Sequence, residues 1–385
     1  MFIEPRFVLV TVLCWVTLAL TPARLRSHAL VGWSIVLYLL YAPQALIFVS
    51  AAILLTYLAA AGRRKWIVII LVSGLLAYFK RPAGLAGAMS TSAVDLQGGG
   101  VLVPLGFSYM ALELIHYAIE TSRGRIRQTS FVDFAAFALF FPCRVAGPIK
   151  RFNDFTASVA AAECSAVEVY HGCFRILSGL IKKGVLADPL ARASAGVTAA
   201  TTAGQAWEAM FAYSLSLYLD FSAYSDFAIG VSRLMGIRVP ENFNWPYFSS
   251  NIQDFWNRWH ISLSFWVRDY VFTNTGRQLF KTRLKASPGI IAGTSYLATF
   301  LVVGAWHGLS LNFLVWGAYH GLFVTAFHFY KLALPDRIAS SRFYQSRLVS
   351  IAGMGLTFVL VTIGWVFFRL DLLDAGRVLR LMLVN

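Results

Sequence analysis

The chain has 385 residues, of which 58% are hydrophobic and only 13% are charged, and its mean hydropathy is +0.64. Soluble globular domains carry about 25% charged residues, so this composition excludes an ordinary soluble domain and predicts a membrane protein. The net charge of +15 lies largely in short connectors between apolar runs, as it does beside membrane helices, and does not indicate a nucleic-acid-binding protein.

In chain order, successive apolar runs predict an all-α, polytopic fold. Pro43 divides the long run 29–61 into two helices, because proline breaks a helix interior. Residues 85–100 predict a loop or re-entrant segment, and 369–385 a short tail. We expect one domain over residues 1–385, with about eight to eleven membrane helices and short re-entrant and amphipathic helices. The predicted helices are 7–20, 29–61 in two pieces, 66–79, 101–120, 131–142, 161–187, 205–235, 249–270, 288–308 and 348–368.

Helix 101–120 carries ionisable residues at depth. Glu113, His116 and Glu120 are spaced i, i+3 and i+7, so they share one face. A charge in hydrocarbon is costly, and such a face normally meets either a cavity or a partner segment. Both alternatives are open from the sequence.

Asp226 lies in the unusual polar patch YLDFSAYSDFAIG of helix 205–235. An acid among apolar spans needs a partner. We expect Arg233, Arg258 or Asn242 to provide one.

The most polar and aromatic-rich segment is PENFNWPYFSSNIQDFWNRWHISLSFWVRDY, residues 240–270. It predicts one helix with two different faces, capped by Ser249 or Ser250. Apolar and aromatic side chains form one face: Ile252, Phe255, Trp256, Trp259, Leu263, Trp266, Val267 and Tyr270. The opposite face is the polar strip Gln253, Asn257, His260, Ser264 and Arg268.

This polar strip has two interpretations. An amphipathic helix on the membrane surface is one, but such helices favour lysine on the polar face. The strip instead contains the titratable His260 among neutral hydrogen-bonding groups such as Asn257 and Ser264. We therefore favour a functional site.

His307 ends the apolar run 288–308 between Gly304 and Gly308. A neutral imidazole at that position is suited to general-base catalysis near neutral pH. The alternative is a core histidine bonded to a carbonyl. His320 ranks lower, because Asn312 predicts a break that separates the two histidines.

These residues carry a resemblance. The segment 240–270, followed by VGAWHGLSLNFLVWGAYHG, resembles the membrane-bound O-acyltransferase family, in particular its bacterial branch of alginate O-acetylation and lipoteichoic-acid D-alanylation proteins. VPLGFSYM, FFPCRVAGPIKRF, DFSAYSDFAIG and WVFFR extend the similarity over about residues 100–370. The resemblance implies a ring of helices around a central funnel or tunnel. It also implies that His307 is the family's invariant histidine and His260 its second conserved polar position.

The resemblance implies an O-acyltransferase that carries an acyl group, preferably acetyl, to hydroxyls of an extracytoplasmic cell-envelope polysaccharide. An acceptor hydroxyl needs a positioned base to attack a thioester. His307 and His260 are the expected catalytic residues. The supporting or substrate-binding candidates are Asn257, Ser264, Trp256, Arg258, Asp226, Asn242 and Trp306.

We expect no tightly bound cofactor and no metal, since no nucleotide-binding or metal-ligand motif is present. The donor is expected to be a thioester on CoA or on the phosphopantetheine of a carrier protein. The other expected partners are the acceptor polysaccharide or a relay protein, and the lipid of a bacterial cytoplasmic (inner) membrane that the chain crosses several times.

Three alternatives remain open. D-alanyl transfer from a carrier protein to a teichoic-type polymer uses the same chemistry. A proton-coupled transporter would also place Glu113, His116 and Asp226 among membrane helices. A membrane haem protein would use His116, His307 or His320 as axial ligands.

Overall fold

The computed structural model describes residues 4–80, 106–127, 130–282 and 287–384. These residues form helices, turns and connectors and contain no strand, so the all-α prediction is confirmed for them. The chain divides into two compact units. The N-terminal unit comprises Met1–Lys182 with Phe221–Glu241, and the C-terminal unit comprises Lys183–Asp220 with Asn242–Asn385. The expectation of a single domain stays a prediction.

The N-terminal unit is built from short apolar helices. As the sequence predicts, α2 and α3 separate at Pro43, which occupies the first turn of α3. Its helices are α1 (Pro5–Leu20), α2 (Arg26–Tyr41), α3 (Pro43–Ala61), α4 (Lys65–Phe79), α5 (Phe107–Ser122), α6 (Phe131–Leu139), α7 (Phe152–Ala160), α8 (Ala166–Leu180) and the second part of α10 (Ala203–Leu234).

The ionisable face of α5 meets partner segments. The Glu113 carboxylate is 1% exposed and lies 2.5 Å from Lys150 Nζ and 3.3 Å from Arg144 Nη2. His116 Nε2 accepts a hydrogen bond from the backbone N–H of Phe152 at 3.0 Å. The segment FFPCRVAGPIKRF therefore packs on α5 through a charge network in which each Glu113 oxygen faces a cation.

The C-terminal unit contains the longer helices that follow the polar segment. The residues after Arg369, predicted to be a tail, form a helix instead. The helices are α9 (Asp188–Ala193), the first part of α10, α11 (Ile252–Arg258), α12 (Ile261–Val267), α13 (Thr273–Phe280), α14 (Pro288–His307), α15 (Leu311–Ala333), α16 (Asp336–Ala339), α17 (Arg347–Arg369) and α18 (Leu372–Val384).

Two glycines allow α14 and α15 to pack backbone against backbone. A Cβ on Gly304 would lie 2.4 Å from the carbonyl oxygen of Phe313, and one on Gly317 would lie 2.4 Å from the carbonyl oxygen of Phe300. Only a residue without a side chain fits such an approach. The pair forms a tight antiparallel hairpin whose turn follows His307.

Among the described residues, three helices, α3, α14 and α17, are long and apolar enough to cross a membrane. The break predicted at Asn312 occurs earlier, at 308–310, and Asn312 lies inside α15. The predicted loop 85–100 lies outside the described residues. The predicted ring of about eight to eleven membrane helices stays a prediction.

Candidate active site

The segment predicted to be one helix over 249–270 is two helices. The prediction is wrong at His260, whose backbone is left-handed with φ +45° and ψ +53°. This conformation costs a non-glycine residue about 1–2 kcal/mol and ends α11 before α12 begins. The capping prediction is also wrong: Asn251, not Ser249 or Ser250, accepts the hydrogen bond from Asp254 N–H at the start of α11.

Asn242 holds the break between α11 and α12. Its carbonyl accepts the backbone N–H of Ile261 at 2.8 Å. Its side-chain Oδ1 accepts the Ser262 hydroxyl at 2.7 Å and lies 3.2 Å from His260 Nδ1. Asn242 is fully buried, so these bonds are shielded from water. The loop before α11 therefore supplies the contacts that stabilise the strained residue.

The same contacts define the tautomer of His260. Asn242 Oδ1 faces one certain donor, the Ser262 N–H at 3.4 Å, and also lies 2.7 Å from the Ser262 hydroxyl. Oδ1 is therefore an acceptor, and the His260 Nδ1 that faces it is a donor. The lone pair of a neutral His260 imidazole consequently lies on Nε2.

His260 lies outside the three helices long enough to cross a membrane and is 2% exposed. Burial lowers its pKa to about 3, because the charged imidazolium loses its hydration. The imidazole is therefore neutral at physiological pH and acts through a lone pair and an N–H rather than through charge.

A cavity of about 240 Å³ lies beside this break. The whole predicted polar strip lines it, although the helix is interrupted: Gln253, Asn257, His260, Ser264 and Arg268. Trp256, Leu263 and Val267, which were predicted to lie on the opposite apolar face, line the same cavity, so the predicted separation of the two faces is wrong at these positions. Most of the remaining wall is apolar and aromatic, which includes the predicted supporting residue Trp256.

Helix α14 supplies the facing wall through residues that the sequence reasoning missed. Tyr296, Phe300 and Val303 line the cavity, and Tyr296 accepts a hydrogen bond from Gln253 Nε2 at 3.1 Å. The sequence did contain a signal for these three residues, because their spacing of four and then three residues places them on one face of a helix. His307 follows Val303 by four residues and continues the same face.

His307 itself is not among the residues that line this cavity. Its ring contacts Trp306 at 4.8 Å and Trp316 at 5.3 Å between ring centroids. The Trp306 ring also contacts the His260 ring, at 6.4 Å. The prediction that both histidines open on one cavity thus stays a prediction, with Trp306 in contact with each imidazole.

His320 is completely buried in an aromatic cage that includes Trp256 at 5.0 Å and Trp316 at 5.1 Å. A Cβ on Gly364 would lie 2.4 Å from His320 Nε2, so that glycine makes room for the ring. This location is consistent with ranking His320 below His307 as a catalytic candidate, because aromatic rings enclose the His320 imidazole and it does not line the cavity.

Two other predicted supporting residues have different surroundings from those expected. Asp226 pairs with Arg175 at 2.8 Å and Lys182 at 2.7 Å, so the predicted partners Arg233, Arg258 and Asn242 are wrong. The physical reason is that α8 passes alongside α10. Arg258 instead forms an ion pair with Asp254, four residues earlier on α11, with 3.0 Å between Nε and the carboxylate oxygen.

Residues 8–362 match the profile of MBOAT, the membrane-bound O-acyltransferase family. A probable alginate O-acetylase of Azotobacter vinelandii is 35% identical over 93% of this chain and 72% of its own length. One from Pseudomonas aeruginosa is 37% identical over 72% of this chain and 50% of its own length.

A teichoic acid D-alanyltransferase of Bacillus subtilis is 33% identical over 59% of this chain and 59% of its own length. The matches thus span between about half and three quarters of these relatives. The similarity to the two alginate proteins covers more of the chain than the similarity to the D-alanyltransferase. The relatives thus include both the alginate O-acetylation branch and the D-alanylation branch that the sequence resembles.

Proposed function

Because this chain belongs to the membrane-bound O-acyltransferase family and is thus an all-α membrane O-acyltransferase, we propose that it transfers an acetyl group from a thioester donor to hydroxyls of an extracytoplasmic cell-envelope polysaccharide. The proposed donor is acetyl-CoA or an acetylated carrier-protein phosphopantetheine, taken from the cytoplasmic side. The proposed location is a bacterial cytoplasmic membrane that the chain crosses several times.

The observation that carries the proposal is the placement of a neutral, oriented imidazole at an apolar cavity. His260 is held by Asn242 and is 2% exposed at the cavity wall. An acyl thioester is itself mainly apolar and needs only a few directed hydrogen bonds to be positioned. This supports acyl transfer over ion transport, for which a mostly apolar wall offers little solvation.

His307 is the proposed general base. Its imidazole removes the proton from the acceptor hydroxyl while the oxygen attacks the thioester carbonyl, forming the new C–O bond. The C–S bond then breaks, and the thiolate leaves with a proton returned from the imidazolium. The ester and the free thiol are the products, and no oxidant or metal takes part.

His260 is proposed to position the donor, because its Nε2 lone pair accepts an amide or hydroxyl hydrogen. In this tautomer it does not stabilise an oxyanion. The side-chain amide of Asn257, on the same wall, is a donor suited to that task. Ser264 donates its hydroxyl to the Trp259 carbonyl at 3.2 Å and is proposed to shape the wall.

Acetyl is preferred over D-alanyl as the acyl group. A D-alanyl group carries an ammonium, and the described wall of the cavity includes the cationic Arg268 and no Asp or Glu. Two relatives that match most of this chain are named as probable alginate O-acetylases. D-alanyl transfer is the second candidate, supported by the similarity to the teichoic acid enzyme.

The test is transfer of labelled acetyl to alginate oligosaccharides by purified protein in vesicles. Acetyl-CoA and an acetylated carrier protein are compared as donors. His307→Ala is expected to lower kcat by at least about 100-fold, since general-base catalysis contributes roughly 10²–10⁴. His260→Ala is expected to be nearly as damaging, and the double variant little worse, because groups acting as a unit are not additive.

His328→Ala is the matched control, because this histidine lies on α15 and does not line the cavity. Near-normal turnover of a folded His307→Ala protein would refute the proposed base. Transfer of D-alanine but not acetate would favour the second candidate.

A further inference from the structure

Arg268 places a positive charge on the wall of the apolar cavity. Its Nε lies 3.1 Å from an oxygen of the Asp269 carboxylate, and its guanidinium carbon lies 4.5 Å from the centre of the Phe265 ring. Phe265 also lines the cavity, whereas Asp269 is not among the residues that line it. The cavity wall therefore includes the cation but not its counter-ion.

These two contacts leave the outer end of the guanidinium available. Within the part of the chain that the structure describes, Arg268 donates only through Nε, to Asp269. Nη1 and Nη2 therefore keep their N–H groups unpaired. The ion pair at Nε and the ring contact restrict the guanidinium, so the fork formed by Nη1 and Nη2 is pre-organised. Two parallel N–H bonds from such a fork match the geometry of a planar carboxylate.

The depth of Arg268 indicates that this fork has a function. The α14 residues that line the cavity run from Tyr296 to Val303, in the middle of a helix long enough to cross a membrane. Phe272, four residues after Arg268, packs on Tyr296 with 4.7 Å between the ring centroids. A charge at such a depth is costly and marks a substrate or ion pathway. The Arg268 side chain is 58% exposed, so its guanidinium is open to a ligand.

We propose that Arg268 binds the carboxylate of a hexuronate ring in the acceptor, which makes the acceptor an acidic, uronate-containing polysaccharide. This inference rests on the proposed function for acyl transfer to a sugar hydroxyl. In a hexuronate, the hydroxyls at C2 and C3 lie across the pyranose ring from the carboxylate. Binding of the carboxylate at Arg268 therefore directs these hydroxyls into the cavity, whose wall also includes Asn257 and His260.

The same charge sets a preference for both substrates. Arg268 repels an acyl group that carries an ammonium and attracts an acceptor that carries an anion. A neutral glycan would leave the guanidinium without an anionic ligand in a mostly apolar cavity, where ion pairing is stronger than in water. Phe265 and Phe272, on the same wall, supply aromatic surface against which the apolar C–H side of a pyranose ring packs.

The test measures acceptor binding without a donor, by equilibrium dialysis of labelled sugars against the purified chain in detergent. The probes are a mannuronate trisaccharide and its methyl ester, which has the same hydroxyls but no carboxylate charge. The wild-type chain is expected to bind the acid about tenfold more tightly than the ester, a modest factor because water partly screens an exposed ion pair. Arg268→Gln should bind both sugars with the affinity of the ester.

Two variants separate the fork from charge in general. Arg268→Lys keeps the charge but loses the planar fork, so it should recover only part of the preference for the acid. Arg277→Gln is the matched control, because Arg277 is an exposed arginine of α13 that does not line the cavity. This control should keep the full preference. Thermal midpoints in the same detergent show that each variant is folded.

Equal affinity of the wild-type chain for the acid and its methyl ester would overturn the proposal, as would a preference for the acid that persists in folded Arg268→Gln. Tighter binding of a glycerol phosphate trimer than of the mannuronate trisaccharide would assign Arg268 to phosphate and overturn the carboxylate. In acetyl transfer, Arg268→Gln should raise KM for the acid about tenfold at unchanged kcat, as loss of uniform binding does. Because binding is read without a donor, failure of the proposed acyl transfer would be recognised separately.

Discussion

Replacement of Asn242 by alanine tests the support of the candidate active site. The substitution removes the acceptor of the Ser262 hydroxyl, at 2.7 Å, and the partner facing His260 Nδ1, at 3.2 Å. Both contacts are buried. At about 1–2 kcal/mol for each, the expected loss of stability is about 2–4 kcal/mol. The strained backbone of His260 also loses a restraint, and a displacement of about 1 Å at a reacting group costs roughly 100-fold in rate.

Two measurements separate these effects. The thermal midpoint in detergent reports stability, and acetyl transfer at a temperature well below that midpoint reports kcat. Asn274→Ala is the control, because this asparagine makes a comparable bond to the Tyr270 carbonyl, at 2.7 Å, without lining the cavity. It should lose stability but keep kcat per folded molecule.

Asn242→Asp adds a pH readout. The carboxylate keeps an acceptor for Ser262 but raises the pKa of His260 through its negative charge. If neutral His260 is required, the acid limb of the pH–rate profile should move to higher pH, a shift that a merely structural role would not produce. Wild-type stability and kcat in a folded Asn242→Ala protein would refute the reasoning.

Two further outcomes are expected. Gly304→Leu should prevent the close approach of α14 and α15 and lower the thermal midpoint or abolish folding, whereas Gly355→Leu, where a Cβ meets nothing within 4 Å, should be tolerated; equal midpoints would contradict the packing. In the unfolded chain the His260 imidazole binds a proton near pH 6.5, whereas in the native protein it does so only near pH 3. The free energy of unfolding should therefore fall by up to about 1.4 kcal/mol per pH unit as the pH is lowered from 6.5 to 3. Thermal melts of His260→Gln should show a weaker acid dependence, and an unchanged dependence would contradict the neutral state.

Local sequence determined the boundaries of several apolar helices. Pro43 divides α2 from α3 because its ring cannot follow a helical turn. Within α11, the spacing of Gln253 and Asn257 fixes the side on which they lie, because residues four apart share a helix face. His260, Ser264 and Arg268 lie at or beyond the break, so their place in the same cavity depends on the redirected chain.

The break at His260 was decided by tertiary structure. Nothing in RWHISLS resembles a helix stop, since it contains neither glycine nor proline. The left-handed conformation exists because Asn242, eighteen residues earlier, binds His260, Ile261 and Ser262, while the Asn244 N–H binds the Arg258 carbonyl at the end of α11. Helix propensity depends on local sequence and therefore cannot account for a contact with a residue eighteen positions away.

The sequence by itself likewise did not determine which helices pack against each other. Asp226 was recognised as needing a partner, but its pairing with Arg175 and Lys182 depends on which segment packs beside α10. A charge pattern shows that a buried acid requires compensation. Only the packed chain determines which basic side chain is within reach.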